Sequence, residues 1–289
     1  MVFETDTSSI TQNADDSTLH KSDTDIERLQ NCLQINLNSV IYWCKINNMS
    51  LNPNKTKCMV VASKRKLNRN DELKLKLSIG DEEIQNVTVQ KILGVYVDNK
   101  RIWNVQLDKI SSVLNSNIAL LKRIQYYLTQ DMKILFYNAY ILSRMDYCCT
   151  VWGNSRKCIR TITKLQNRVA KIFFQNETNP FESDDRNPKR WMSFENRCHY
   201  HIAVLVYKYE HGNTPHYMDN LLTISQNKSY NLRSSVNRNL ITPYCKSDYF
   251  KASFTYLSVK VWNKIPTNIR CLPSLTQFKI SLKKCLLNN

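Results

Sequence analysis

Between Ile26 and Cys44, apolar side chains recur at Ile26, Leu29, Leu33, Leu37, Val40, Ile41 and Cys44, the spacing that gathers them on one face of a helix. Thr24 followed by Glu27 has the form of a capping box at its start, and Asn47 with Asn48 can turn the chain at its end. Pro53-Asn54 supplies a further turn, leading into a short buried strand over Cys58–Ala62. The period then changes. Leu73, Leu75, Leu77 and Ile79 alternate with Lys74, Lys76 and Ser78, which predicts a half-buried strand. Gly80-Asp81 marks a turn, and Ile84, Val87 and Val89 suggest a returning strand. Lys91 to Asp98 reads as a further strand in which Gly94 permits close backbone approach.

Beyond residue 104 the repeat becomes helical again. Val105, Ile110, Val113, Leu114, Ile118, Leu121 and Ile124 predict one long amphipathic helix. A second spans Asp131 to about Ser143 and a third Cys158 to Phe174, the latter with Ile159, Ile162, Leu165, Val169, Ile172 and Phe173 apolar. On that third helix Arg160, Lys164, Arg168 and Lys171 make a basic stripe beside the apolar face. Two readings of the stripe stand together, a solvated face and a surface for phosphates. Residues 175–191 are polar and broken by prolines, the best boundary in the chain. Phe194 to Tyr209 predicts another helix, 213–249 is irregular, and a short basic helix closes the chain near Phe278–Leu287. The whole reads as an α+β protein, a helix on a small antiparallel sheet followed by a mainly helical basic region.

Composition narrows this. With 289 residues the chain can bury a real core, and 15 Tyr, 9 Phe and 5 Trp argue against disorder throughout. Only 4 Gly and 7 Pro favour helix over a loop-rich all-β fold. The net charge is +17, and its placement is informative. Residues 1–100 are balanced at 13 Lys/Arg and 13 Asp/Glu, whereas 101–289 hold 28 against 11. A neutral segment followed by a strongly basic one points to a polyanion partner, with nucleic acid the leading candidate over generic basicity.

The ten cysteines contain no C-x-x-C pair, and Cys148-Cys149 reads as buried thiols. Cys198-His199-x-His201 lacks a second ligand pair at finger-like spacing. No signal peptide and no membrane-length apolar run is evident, so the expectation is a reduced, intracellular protein, cytoplasmic or nuclear, without membrane contact.

The order of motifs is more specific than any one of them. "ADDSTLH", then "LQNCLQINLNSVIYWCKINNMSLNPNKTKCMVV", then "KILGVYVDNKRIWNVQLDKI", resembles the late palm of reverse transcriptases from non-LTR (LINE-like) retrotransposons. "LKRIQYYLTQDMKILFYNAYILSRMDYCCTVWG", "ITKLQNRVAKIFF" and "WMSFENRCHYHIAVLVYKYEHGNTPHYM" resemble the helical segment behind that polymerase. The resemblance runs from about residue 13 to the C-terminus. It implies a leader over 1–14, expected to be disordered, a partial palm over 15–103, a thumb-like helical region over 104–176 and a basic helical region over 177–289. It further implies that Asp15 and Asp16 are the carboxylates of a catalytic turn that holds Mg2+ for phosphoryl transfer. Lys55 in "LNPNKT" matches the family's lysine beside the active site. Gly94 would lie on the strand that grips the primer, and Arg160, Lys164, Arg168 and Lys171 would face template or target phosphates.

The chain also departs from that pattern. Asn13 stands where the family has Tyr or Phe, and the residues before it are polar instead of forming an apolar strand. Fingers and early palm, with their additional metal-binding aspartate, have no counterpart, and Asp6 lacks a strand context. The expectation is therefore an N-terminally truncated reverse transcriptase (RNA-directed DNA polymerase), catalytically incompetent alone. The alternative is a non-catalytic nucleic-acid-binding module derived from such an element. Either way, the small sheet would present an unprotected edge.

Overall fold

The computed structural model describes residues 9–63, 66–67, 73–174, 191–219, 221–222, 239–245 and 248–288. The protein is α+β and divides into two compact units, Met1–Val105 and Gln106–Asn289. No helix among the described residues is long and apolar enough to cross a membrane.

In the first unit, β1 (Ser9–Asn13) and β2 (Asp16–His20) form an antiparallel hairpin, with Asn13 opposite Asp16 and Ala14-Asp15 as its two-residue turn. This corrects the expected disordered leader over its described part. A polar strand suffices here because β1 is an outer arm with little to bury. Helix α1 (Ile26–Ile46) follows. Its N-cap is Asp25, whose side chain accepts from Glu27 N at 3.0 Å, so the expected Thr24 capping box is displaced by one residue. Asn47 closes the helix and Asn48 takes φ +54.

The expected single small sheet is instead a set of short ladders. Among the described residues, β3 (Lys57–Cys58) runs parallel to β6 (Gln85–Asn86), and β4 (Ser78–Ile79) pairs antiparallel with β5 (Glu82–Glu83). β7 (Val89–Ile92) pairs antiparallel with β8 (Val95–Asp98). Leu75 and Leu77 are buried while Lys74 and Lys76 are exposed, so the alternation is real although regular pairing starts only at Ser78.

Side-chain amides explain why the ladder is short. Gln34 accepts from Ser78 N and donates to Ser78 O, both at 3.0 Å. Asn86 accepts from Leu75 N at 3.1 Å and donates to Leu75 O at 2.8 Å. Gln30 accepts from Lys76 N at 2.8 Å. Each amide imitates one residue of a neighbouring strand and satisfies backbone that would otherwise be orphaned. Over residues 75–78 the expected open edge is thus covered by α1 and Asn86. Leu33, Cys58, Leu75, Leu77 and Ile84 form the core beneath, with Leu19 of β2 packed against it.

The second unit is helical. α2 (Asn104–Ile124) buries Leu107, Leu114, Ile118 and Leu121, while Val113 faces outward against expectation. α3 (Gln130–Phe136), a π-helical stretch (Tyr137–Leu142) and α4 (Ser143–Asp146) form one continuous helical run. α5 (Cys149–Trp152) and α6 (Arg156–Phe174) follow, then α7 (Phe194–Glu210). Residues 175–190, the expected boundary, lie outside the described residues. The helices on either side belong to one unit and share contacts, since Trp152 stacks on Phe194 at 5.6 Å. Buried Gln166 of α6 also accepts from Phe194 N at 3.0 Å and donates to Met192 O at 2.9 Å. The chain ends in α8 (Asp248–Lys251), α9 (Phe254–Lys264), α10 (Thr267–Arg270) and α11 (Leu275–Asn288). Trp262, Phe278, Tyr207 and Leu282 centre a core between α7, α9 and α11.

Candidate nucleic-acid interface and carboxylate turn

The β1–β2 turn is tight because only two residues separate the paired Asn13 and Asp16, and Ala14 takes φ +53 to close it. Gln12 Nε2 donates to Ala14 O at 3.3 Å and Thr11 Oγ1 to Thr18 O at 3.4 Å. Asp15 sits in the turn and Asp16 opens β2, both exposed. The sequence-predicted pair is therefore presented on a hairpin, as a metal-binding turn requires. The described residues bring no third ligand to this pair, however: no His, Cys, Asp or Glu among them gathers with the two aspartates into a three-ligand group. Phosphoryl transfer by two ions needs hard ligands from more than one turn.

Lys55 lies on the turn before β3, held by Asn52, whose O accepts from Lys55 N at 3.2 Å and from Thr56 N at 3.0 Å. Its side chain is exposed, and no hydrogen bond or ion pair joins it to Asp15 or Asp16. Gly94 is not inside a strand. Leu93 and Gly94 form the two-residue turn between β7 and β8, with φ +46 and +83, so both residues take left-handed backbone. A glycine is needed there for the turn itself.

Asp98 ends β8 and organises the chain leading to α2. Its Oδ1 accepts from Lys100 N at 3.1 Å and Ile102 N at 3.0 Å, and its Oδ2 from Trp103 N at 2.7 Å. Arg101 and Trp103 both have positive φ; the carboxylate holds Trp103 directly, and Arg101 N donates to the Asp98 backbone O at 2.9 Å.

The basic stripe keeps its expected place. On α6, Cys158, Ile162, Leu165, Val169 and Phe173 are buried, and Arg160, Lys164, Arg168 and Lys171 are all exposed. The register does this: residues four and three apart share a face, so one face takes the core and another the cations. Arg168 donates to Asn115 Oδ1 of α2. Among the described residues Arg160, Lys164 and Lys171 have no salt-bridge partner. From Arg160 to Lys171 the stripe is ~16 Å long.

One cluster was not foreseen. Arg197 grips Asp146 through Nε at 2.7 Å and a second guanidinium nitrogen, and His201 Nε2 lies 3.3 Å from Asp146 Oδ2. Burial alone would raise Asp146, but its contacts with Arg197 and His201 outweigh that and hold its carboxyl below the usual range. Cys198, beside this group, is pushed far up by its hydrogen bond with Cys149 and by burial. Burial raises Cys158 and lowers His199. Thiols held protonated in this way are poor nucleophiles. The site missed by sequence reading is thus a structural ion network, and its partners are 51 residues apart, with nothing local to betray it.

Comparison with protein-family models, with curated proteins and with solved structures finds no match to this chain.

Proposed function

We propose that the protein is of LINE-like reverse-transcriptase type and that it binds nucleic acid without polymerising on its own. The observation that carries this is the stripe Arg160, Lys164, Arg168 and Lys171, four exposed cations of one sign in a half of the chain with 28 Lys/Arg against 11 Asp/Glu. Cations so arranged neutralise successive phosphates and release counterions. The hairpin presentation of Asp15 and Asp16, ahead of the Asn52–Thr56 turn and the β7–β8 hairpin, supports the polymerase resemblance. Two carboxylates on one turn supply too few ligands for two-metal chemistry, which is why the chain alone is expected to be inactive.

The test is binding of a labelled single strand between about 50 and about 200 mM salt. Affinity should fall steeply, and replacing the four stripe residues by Ala should flatten the log–log slope by about 3. Undetectable or salt-independent binding would overturn the reading. Primer extension with Mg2+ or Mn2+ should give no product. Incorporation that disappears in Asp15→Ala would overturn the non-catalytic half of the proposal.

A further inference from the structure

Two of the most exposed large side chains among the described residues of the second unit are neighbours in the chain. Tyr126 and Tyr127 are 83% and 86% exposed, on the single 3-10 turn Gln125–Tyr127 between α2 and α3. The turn is pinned at both ends. Gln125 Nε2 donates to Lys122 O at 2.9 Å, and Thr129 caps α3 by accepting from Met132 N at 3.3 Å. Neither ring meets another aromatic ring and neither hydroxyl finds a hydrogen-bond partner among the described residues. Two tyrosines on α7 behave differently: Tyr207 donates to Leu272 O at 2.7 Å and Tyr209 to Leu222 O at 2.9 Å.

Isolated exposed apolar residues need no explanation, but two rings on a pinned turn are a different matter. Lys122 and Arg123, both exposed, stand four residues before Tyr126 and Tyr127 respectively. Between Lys109 and Asp131 these two are the only charged residues, so no carboxylate on this stretch opposes a phosphate there. Flat π-faces four residues along the chain from two exposed cations match the chemistry of an unstacked nucleotide: bases lie on the rings and phosphates on the cations. A duplex hides those base faces. We infer that Tyr126 and Tyr127, with Lys122 and Arg123, form a base-stacking site for single-stranded nucleic acid. This rests on the nucleic-acid-binding reading above, and adds to it which strand state is preferred and which residues read it.

The experiment compares a labelled pyrimidine single strand of about 12 nucleotides with its duplex, on the full chain and its variants. Tyr126→Ala and Tyr127→Ala should each weaken single-strand binding by about 5- to 100-fold. Duplex affinity and the salt slope should stay unchanged, because the phosphate contacts remain. Tyr→Phe at either position should keep the affinity, since the π-face remains. Tyr→Leu should lose it although the apolar area is nearly kept, which separates stacking from a fold defect. If the wild-type chain binds no nucleic acid, both readings fall. If it binds with steep salt dependence but the alanine variants match it on single strands, the stacking site alone is overturned and the phosphate surface stands. Loss of a wild-type dimer in the variants, with single-strand affinity unaltered, would also overturn it and assign the rings to a second copy.

Discussion

In the first unit the core is a thin layer of aliphatic side chains beneath α1, and much of the backbone above it is satisfied by the side chains of Gln30, Gln34, Asn86 and Asp98. In the second, Trp152, Phe194, Trp262 and Phe278 are fully buried among helices that satisfy their own backbone. The first unit therefore depends on directional polar contacts, which fail one at a time, and the second on burial, which fails as a whole. The candidate chemistry divides along the same line. Acidic residues stand on a hairpin tip of the thinly packed unit, and the cations stand on a rigid helix of the densely packed one. A surface that must hold four cations in register benefits from the rigid scaffold.

Five substitutions probe that contrast, from the largest effect to the smallest, with Leu33→Ala set beside Phe278→Ala as its counterpart. Phe278→Ala removes a ring stacked on Tyr207 at 4.3 Å and should cost the second unit about 4 kcal/mol. Leu33→Ala in the first should cost only about 2 kcal/mol, because that core can collapse onto the hole. Amide hydrogen exchange, read unit by unit during urea unfolding, would reveal the difference, and equal losses would erase the distinction.

Next, Arg197→Ala leaves the partly buried Asp146 without its main partner and should cost about 3 kcal/mol. The pair also sets a pH dependence. Asp146 is depressed when folded, so its contribution is complete above the ordinary carboxylate range and is lost as pH falls through its lower folded value. Melting of the second unit should fall below about pH 4 in the wild type and show a shallower fall in Arg197→Ala. A parallel pair of curves would remove Asp146 from the account.

Asp98→Ala should destabilise the first unit by about 2 kcal/mol, since the N–H groups of Lys100, Ile102 and Trp103 lose their shared acceptor, and with it goes the direct partner of the left-handed Trp103. Smallest is Gln34→Ala, about 1 kcal/mol, with faster exchange confined to the amide of Ser78 and its neighbours. Exchange that spreads across the unit would mean the ladders are one cooperative structure.

The sequence carried the helices well where an apolar face repeats over several turns, as in α1, α2 and α6, because that repeat is what burial enforces. It carried the Gly80-Asp81 turn because a glycine readily takes the left-handed backbone found there, φ +61. It carried less where a local signal has two solutions. Thr24 and Asp25 are both competent caps, and only the folded chain shows that Thr24 Oγ1 points to Asp23 instead. Lys91–Asp98 has strand composition on both sides of Gly94, which conceals the hairpin folded at Leu93-Gly94. Of the candidate site, the exposure of the stripe followed from its period. The pairing of Asp146 with Arg197 and the exposure of Tyr126 and Tyr127 depend on tertiary placement, which no local pattern encodes.

The amide forks set a limit on how this protein ages. Gln34, Asn86, Gln166 and Asn263 each donate to one backbone carbonyl and accept from a nearby backbone N–H; Asn263 does so with Leu240 at 3.0 Å for both bonds. Deamidation replaces the donating nitrogen with a second oxygen. A carboxylate then faces a carbonyl oxygen with no hydrogen between them, and half of each fork turns from attraction to repulsion. A mass increase of about one dalton at Asn86 or Asn263 would therefore be a lesion in the fold, although the residue's size and shape hardly change.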